Sequence, residues 1–126
     1  MSTSATVNMG QSPLFKSGWI ILLLSAALMT LNHFVLMFVL DDPALFMGWA
    51  AFNLYALLVI AIPFRRLEIW AWYASWVLPI GLAAGAFTVP DIALFYYAVA
   101  AAGALGLLLT LRSFFAVDRQ ISQRTS

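Results

Sequence analysis

The chain has 126 residues, 64% of them hydrophobic and only 9% charged, with six Lys+Arg, five Asp+Glu, one His and no Cys. Soluble domains average about 45–50% apolar and about 25% charged residues. A water-soluble globule of this size has nowhere to put so much apolar surface. The same figures argue against a disordered chain, a basic nucleic-acid binder, a disulfide scaffold and a cysteine-ligated zinc or iron–sulfur site.

The apolar residues fall into four runs, at about 18–40, 45–64, 67–87 and 92–115. Each is roughly 20 residues or slightly more, the length that crosses about 30 Å of hydrocarbon at about 1.5 Å per residue. Lipid offers backbone groups no water, so each run is expected to be helical; none alternates as a barrel strand does. Asp41-Asp42-Pro43, Pro63-Phe64-Arg65-Arg66 and Thr88-Val89-Pro90-Asp91 separate the runs. Turns this short make successive helices antiparallel. The expectation is an all-α integral membrane four-helix bundle, up-down-up-down. Residues 1–17 form an N-terminal segment, mobile over its Ser/Thr-rich stretch up to Gln11, and 116–126 a polar tail that extends the last helix briefly.

Charge placement sets the orientation. Lys16, Arg65, Arg66, Arg112, Arg119 and Arg124 all fall on one side, whereas Asp41, Asp42 and Asp91 occupy the two opposite turns. The positive-inside rule puts both termini in the cytoplasm, and a bacterial inner membrane is the expected location. Trp19 and Trp70 mark the inner interface and Trp49 the outer one. Lys16 followed by an apolar run with Ser25-Ala26-Ala27 loosely mimics a signal peptide, but the run continues well past a normal h-region.

In the first run, Ser25, Ala26, Met29, Thr30, Asn32, His33, Leu36 and Met37 recur at three- and four-residue steps and are expected to face the bundle. Asn32, His33 and Asn53 are the candidate ligand contacts. His33 and Asn53 lie about seven and eight residues inside the outer ends of neighbouring antiparallel helices, hence at a matching depth of roughly 10–12 Å. Polar groups there are costly unless paired, so they read as a ligand site or as an interhelical hydrogen bond. His33 is also the one conceivable haem ligand; Met29 and Met37, one turn away on the same helix, cannot take the opposite axial position. Tyr96 and Tyr97 are outer-belt residues whose hydroxyls are within reach of His33 or Asn53.

Arg65, Arg66, Glu68 and Trp72 form a candidate site for an anionic lipid headgroup at the inner interface; the plainer reading is a topology signal plus an aromatic belt, with Glu68 paired to an Arg. Gly81 and Gly85 form a GxxxG pair expected to pack on Ala102 and Gly106 of the last run, or to serve as a dimer face. Pro79, mid-span, is expected to kink its helix. Asp41 or Asp42 and Asp91 are expected to cap the helices that follow.

No Ser-His-acid set, Walker loop, dinucleotide fingerprint or mid-span carboxylate is present, so no catalytic residue, metal or cofactor is assigned. The segment Pro63-Phe64-Arg65-Arg66-Leu67-Glu68-Ile69-Trp70-Ala71-Trp72-Tyr73, set among four short spans, resembles the small bacterial DoxX-like four-helix membrane proteins. That resemblance implies a four-helix fold and transfers no site residue. Small multidrug transporters are of similar length but use a Glu in the first helix, where this chain has none; the polar motifs of the four-span fluoride channels are also missing. The leading expectation is a non-enzymatic membrane protein: an accessory subunit of a larger membrane complex, or a binder of a lipid-like apolar ligand, with its polar contacts between the first two helices. The alternatives are a minimal oligomeric transporter or channel and a haem-binding redox subunit. The partners are the lipid bilayer and a larger complex or a homo-oligomer, not nucleic acid.

Overall fold

The computed structural model describes residues 12–126, except for the side chains of Val117 and Asp118. The segment expected to be mobile, up to Gln11, lies outside them. The described residues are helical with no strand. Four stretches among them are long and apolar enough to cross a membrane: Pro13–Val39, Pro43–Phe64, Ile69–Ala86 and Pro90–Thr125.

Helix α1, Pro13–Val39, begins five residues before the first apolar run because its start is capped locally. The Ser12 hydroxyl accepts the Phe15 N–H at 3.1 Å, and Pro13, which has no N–H to satisfy, stands in the first turn. Helix α2, Pro43–Val59, repeats the device with Pro43 and with Asp42, whose carboxylate accepts the Leu45 N–H at 3.1 Å. The second span does not stop at Pro63. It widens into a π-helical turn over Ile60–Phe64 that carries Pro63 inside it. Leu67, in the turn that follows, adopts a left-handed backbone with φ 60°.

The third span is two helices, α3 (Ile69–Ser75) and α4 (Val77–Ala86). Pro79 cannot donate to the Ser75 carbonyl, and the regular helix gives way at Trp76, whose N–H bonds to the Tyr73 carbonyl at 3.2 Å. A short 3-10 turn, Pro90–Ile92, leads into α5, Ala93–Thr125. Asp91 makes no side-chain capping bond, contrary to expectation; the 3-10 turn places Ile92 at the N-cap of α5. The last helix also continues through most of the polar tail.

Helices α1 and α5 form the central pair. Their backbones touch at Gly18 and Gly106: a Cβ at Gly18 would lie 2.6 Å from the Gly106 carbonyl oxygen, and one at Gly106 would lie 2.8 Å from the Gly18 oxygen. Gly106 thus serves as a small-residue contact, but against the first span rather than the third. Ala102 is half-buried on the same helix. Helix α2 packs on α1, and α4 packs on α5, where Gly103 faces the Pro79 ring. Gly81 and Gly85, expected to meet the last helix, face the rings of Phe52 and Trp49 on α2 instead. Two bulky aromatics fill the space a helix backbone would need.

Two indole–carbonyl bonds tie the spans in pairs. Trp19 donates from Nε1 to the Ile60 carbonyl at 2.8 Å, joining the first span to the π-helical turn of the second. Trp72 donates to the Leu107 carbonyl at 3.1 Å, joining the third span to the fourth. Phe15, Phe64 and Phe114 close the basic end of the core, with Phe64 and Phe114 ring centroids 4.8 Å apart.

Gly18→Ala is expected to lower stability by about 1–3 kcal/mol, because both helix backbones must move apart. Gly48→Ala, where an added Cβ meets nothing within 4 Å, is expected to be neutral or to stabilise by up to about 1 kcal/mol. Reversible unfolding of the detergent-solubilised variants measures both.

Candidate functional site

The most polar part of the bundle interior lies in its acidic-end half, where α1, α2 and α5 meet. His33 of α1 and Asn53 of α2 are 1% and 0% exposed, and Tyr96 of α5 is 2% exposed. His33 projects inward because it continues the buried row Leu22, Ser25, Ala26 and Met29 at helical spacing. Asn53 lies on the inward row of α2 with Phe46, Ala56 and Val59.

These side chains form one hydrogen-bonded line. Asn53 Nδ2 lies 2.7 Å from the Trp49 carbonyl oxygen and 2.9 Å from His33 Nδ1. His33 Nε2 lies 2.7 Å from the Tyr96 hydroxyl. A carbonyl oxygen only accepts, so the Asn53 amide nitrogen faces Trp49 and donates to it. The directions at His33 depend on its tautomer: with the ring hydrogen on Nε2, Nδ1 accepts from Asn53 and Nε2 donates to Tyr96 Oη, whereas the Met29 backbone, one turn back, is a further hydrogen-bond partner of the ring. Asn32, beside His33 on α1, lies near the Tyr96 hydroxyl.

Rings enclose the imidazole. Its centroid lies 5.8 Å from Trp49, 6.2 Å from Phe46 and 5.6 Å from Tyr96. Two polar atoms of this cluster have no partner among the described residues: Asn53 Oδ1, an acceptor, and Asn32 Nδ2, a donor. Asn32, His33 and Asn53 are thus brought together as the sequence suggested, but the cluster is packed shut rather than lining an open cavity between α1 and α2. Tyr96, one of two tyrosines within reach by sequence, is the one that completes it; Tyr97 is exposed. Both nitrogens of His33 are already engaged, so ligation of a haem iron would require breaking one of these bonds. Among the described residues, no three His, Cys, Asp or Glu side chains gather as a metal site.

An open space lies next to the cluster. A groove of about 620 Å³ runs between α2 and α4, with Leu45, Gly48, Trp49 and Phe52 on one wall and Ile80 and Gly81 on the other. Trp49 belongs to both features. Its carbonyl anchors Asn53, its ring flanks His33, and its six-membered ring edge rests on Gly85.

The expected headgroup site is only partly assembled. The Arg65 guanidinium lies over the Trp19 ring, 5.4 Å from its centroid. With Arg66, Ala61 and Ile62 it lines a cleft of about 410 Å³. Glu68 does not pair with an arginine; it accepts the Trp70 indole N–H at 2.7 Å. Trp72 is buried, with its indole committed to Leu107, so it offers no surface to a headgroup. A buried indole satisfies its one donor here at a backbone carbonyl of a neighbouring helix, a partner that side-chain spacing alone does not reveal. No protein family, curated protein or solved structure matches the chain.

Asn53→Ala and Tyr96→Phe are each expected to destabilise the protein by about 0.6–2 kcal/mol. Their double variant is expected to lose less than the sum, because His33 couples them. Nitrogen NMR of the imidazole reads the tautomer directly: the Nε2–H fraction of the parent protein is expected to fall in Asn53→Ala, which removes the donor facing Nδ1.

Proposed function

We propose that this is a polytopic bacterial inner-membrane protein, with both termini cytoplasmic, that binds a lipid-like apolar molecule and does not turn over a substrate. The observation that carries this reading is the groove between α2 and α4. All of its lining residues are apolar, and it ranges from Ala44 at the start of α2 to Val77 and Gly81 near mid-span. Its volume of about 620 Å³ falls in the range of about 300–1,000 Å³ typical of small-molecule sites. A wall without a charged or strongly polar side chain selects for a hydrocarbon chain. In a bilayer the groove would open sideways into acyl chains, so its occupant can enter without crossing water.

The polar cluster serves this site indirectly. It holds α2 in register against α1 and so fixes the indole of Trp49, which forms part of the groove wall. The side-chain partners of His33 among the described residues, Asn53 and Tyr96, include no acid, which supports a binding role over nucleophilic chemistry. The covering of Gly81 and Gly85 by aromatic rings favours a binder over a transporter dimerised through those glycines. Kinship with DoxX-like proteins is proposed on the segment 63–73 alone.

A phospholipid bearing a photoreactive diazirine in its acyl chain tests the site. Labelling is expected to concentrate on residues 44–52 and 77–81. Gly48→Leu projects a side chain into open space and is expected to reduce that labelling at least fivefold, with an unchanged unfolding midpoint. Even labelling of every exposed apolar face, unaffected by Gly48→Leu, would refute the reading.

A further inference from the structure

The basic end of α5 carries a second, differently built surface. Leu108, Leu111, Arg112, Phe115 and Arg119 line a groove of about 690 Å³ along the outside of the helix. Leu108 and Leu111 are exposed, and so are both arginines. Phe115 packs from behind against Trp72 and Tyr73, with centroids 5.5 Å and 6.2 Å apart. The groove therefore has a fixed aromatic back wall.

Helix geometry places these groups in order of depth. Counting about 20 residues for about 30 Å of hydrocarbon from the start of α5 at Ala93 brings the membrane border to Arg112. Leu108 and Leu111 then lie just inside the hydrocarbon. Arg119, two turns beyond Arg112 on the same helix face, lies about 10 Å further out, at headgroup level. Neither arginine forms an ion pair with another described residue. Arg65, at the same end of the bundle, is by contrast already engaged with the Trp19 ring. Two exposed guanidiniums above an apolar lane complement a phosphate diester above an acyl chain.

We propose that this face of α5 binds one anionic phospholipid, with Arg112 and Arg119 holding its phosphate and Leu108, Leu111 and Phe115 receiving an acyl chain. The site is separate from the groove between α2 and α4 and lies at the opposite membrane border. It rests on the chain being embedded in a bilayer, not on the identity of the groove's occupant.

Native mass spectrometry of the full chain in detergent tests the site with phosphatidylglycerol, phosphatidylcholine and inorganic phosphate as probes. The parent protein is expected to retain one phosphatidylglycerol in preference to phosphatidylcholine. Arg112→Gln with Arg119→Gln is expected to weaken that binding about 30-fold, equivalent to about 1 kcal/mol per arginine. Arg65→Gln with Arg66→Gln is expected to leave it within about twofold, and the Arg112/Arg119 pair should unfold at the parent's midpoint. Equal retention of both lipids, an equal loss in the Arg65/Arg66 pair, or displacement of the lipid by inorganic phosphate at comparable concentration would each overturn the proposal. If the Arg112/Arg119 pair unfolds early, Arg112→Lys with Arg119→Lys supplies the decision: it keeps the charge and must keep the preference for phosphatidylglycerol.

Discussion

In a chain that spans a bilayer, hydrocarbon offers no hydrogen bonds, so an interior polar group is satisfied only by a partner within the chain. Most of the architecture follows from that constraint. Prolines at positions 63 and 79 remove donors from two helices, and each helix answers locally, one with a π-helical turn and the other with a break at Trp76. Indole N–H groups of Trp19 and Trp72 are spent on backbone carbonyls of neighbouring spans. Asn53, His33 and Tyr96 complete one another across three helices. Each such bond satisfies a polar group and also fixes which spans are neighbours.

The pattern of these ties explains where the molecule is open. The first and fourth spans are joined backbone to backbone at Gly18 and Gly106. The second span is tied to the first through Asn53–His33 and Trp19–Ile60, and the third to the fourth through Trp72–Leu107. Among the described residues no comparable bond links α2 to α4, and the rings of Phe52 and Trp49 over Gly81 and Gly85 bridge them. The apolar groove occupies that seam, its walls positioned from the sides by partners each helix holds elsewhere. Such an arrangement gives an apolar crevice a defined shape without lining it with charged side chains.

The helical class and the positions of the four long apolar helices were legible from run length and hydropathy, because an uninterrupted apolar run of about 20 residues between breakers reads as one helix. The inward face of the first helix was legible from its three- and four-residue steps. His33 and Asn53 were legible as a pair from their matched depth, although nothing in spacing could choose between Tyr96 and Tyr97. What the sequence hid were the contacts decided by three-dimensional competition. GxxxG at 81 and 85 reads as a helix-packing motif, but Trp49 and Phe52 reached that space first. Gly18 looked like the edge of a span and proved to be a crossing point, since its partner Gly106 lies far along the chain. Trp72 read as an interfacial residue because spacing does not say which carbonyl an indole can reach. The groove was invisible for the same reason: it is a gap between helices, set by ties made elsewhere.

Topology is the most direct test of the whole account. The chain has no native cysteine, so single cysteines can be placed at Asp41, Asp91, Arg66 and Gln120 and probed in intact cells with a membrane-impermeant maleimide. Asp41→Cys and Asp91→Cys are expected to label at once, and Arg66→Cys and Gln120→Cys only after the membrane is permeabilised. Labelling of all four from the same side would mean that these helices do not cross a bilayer.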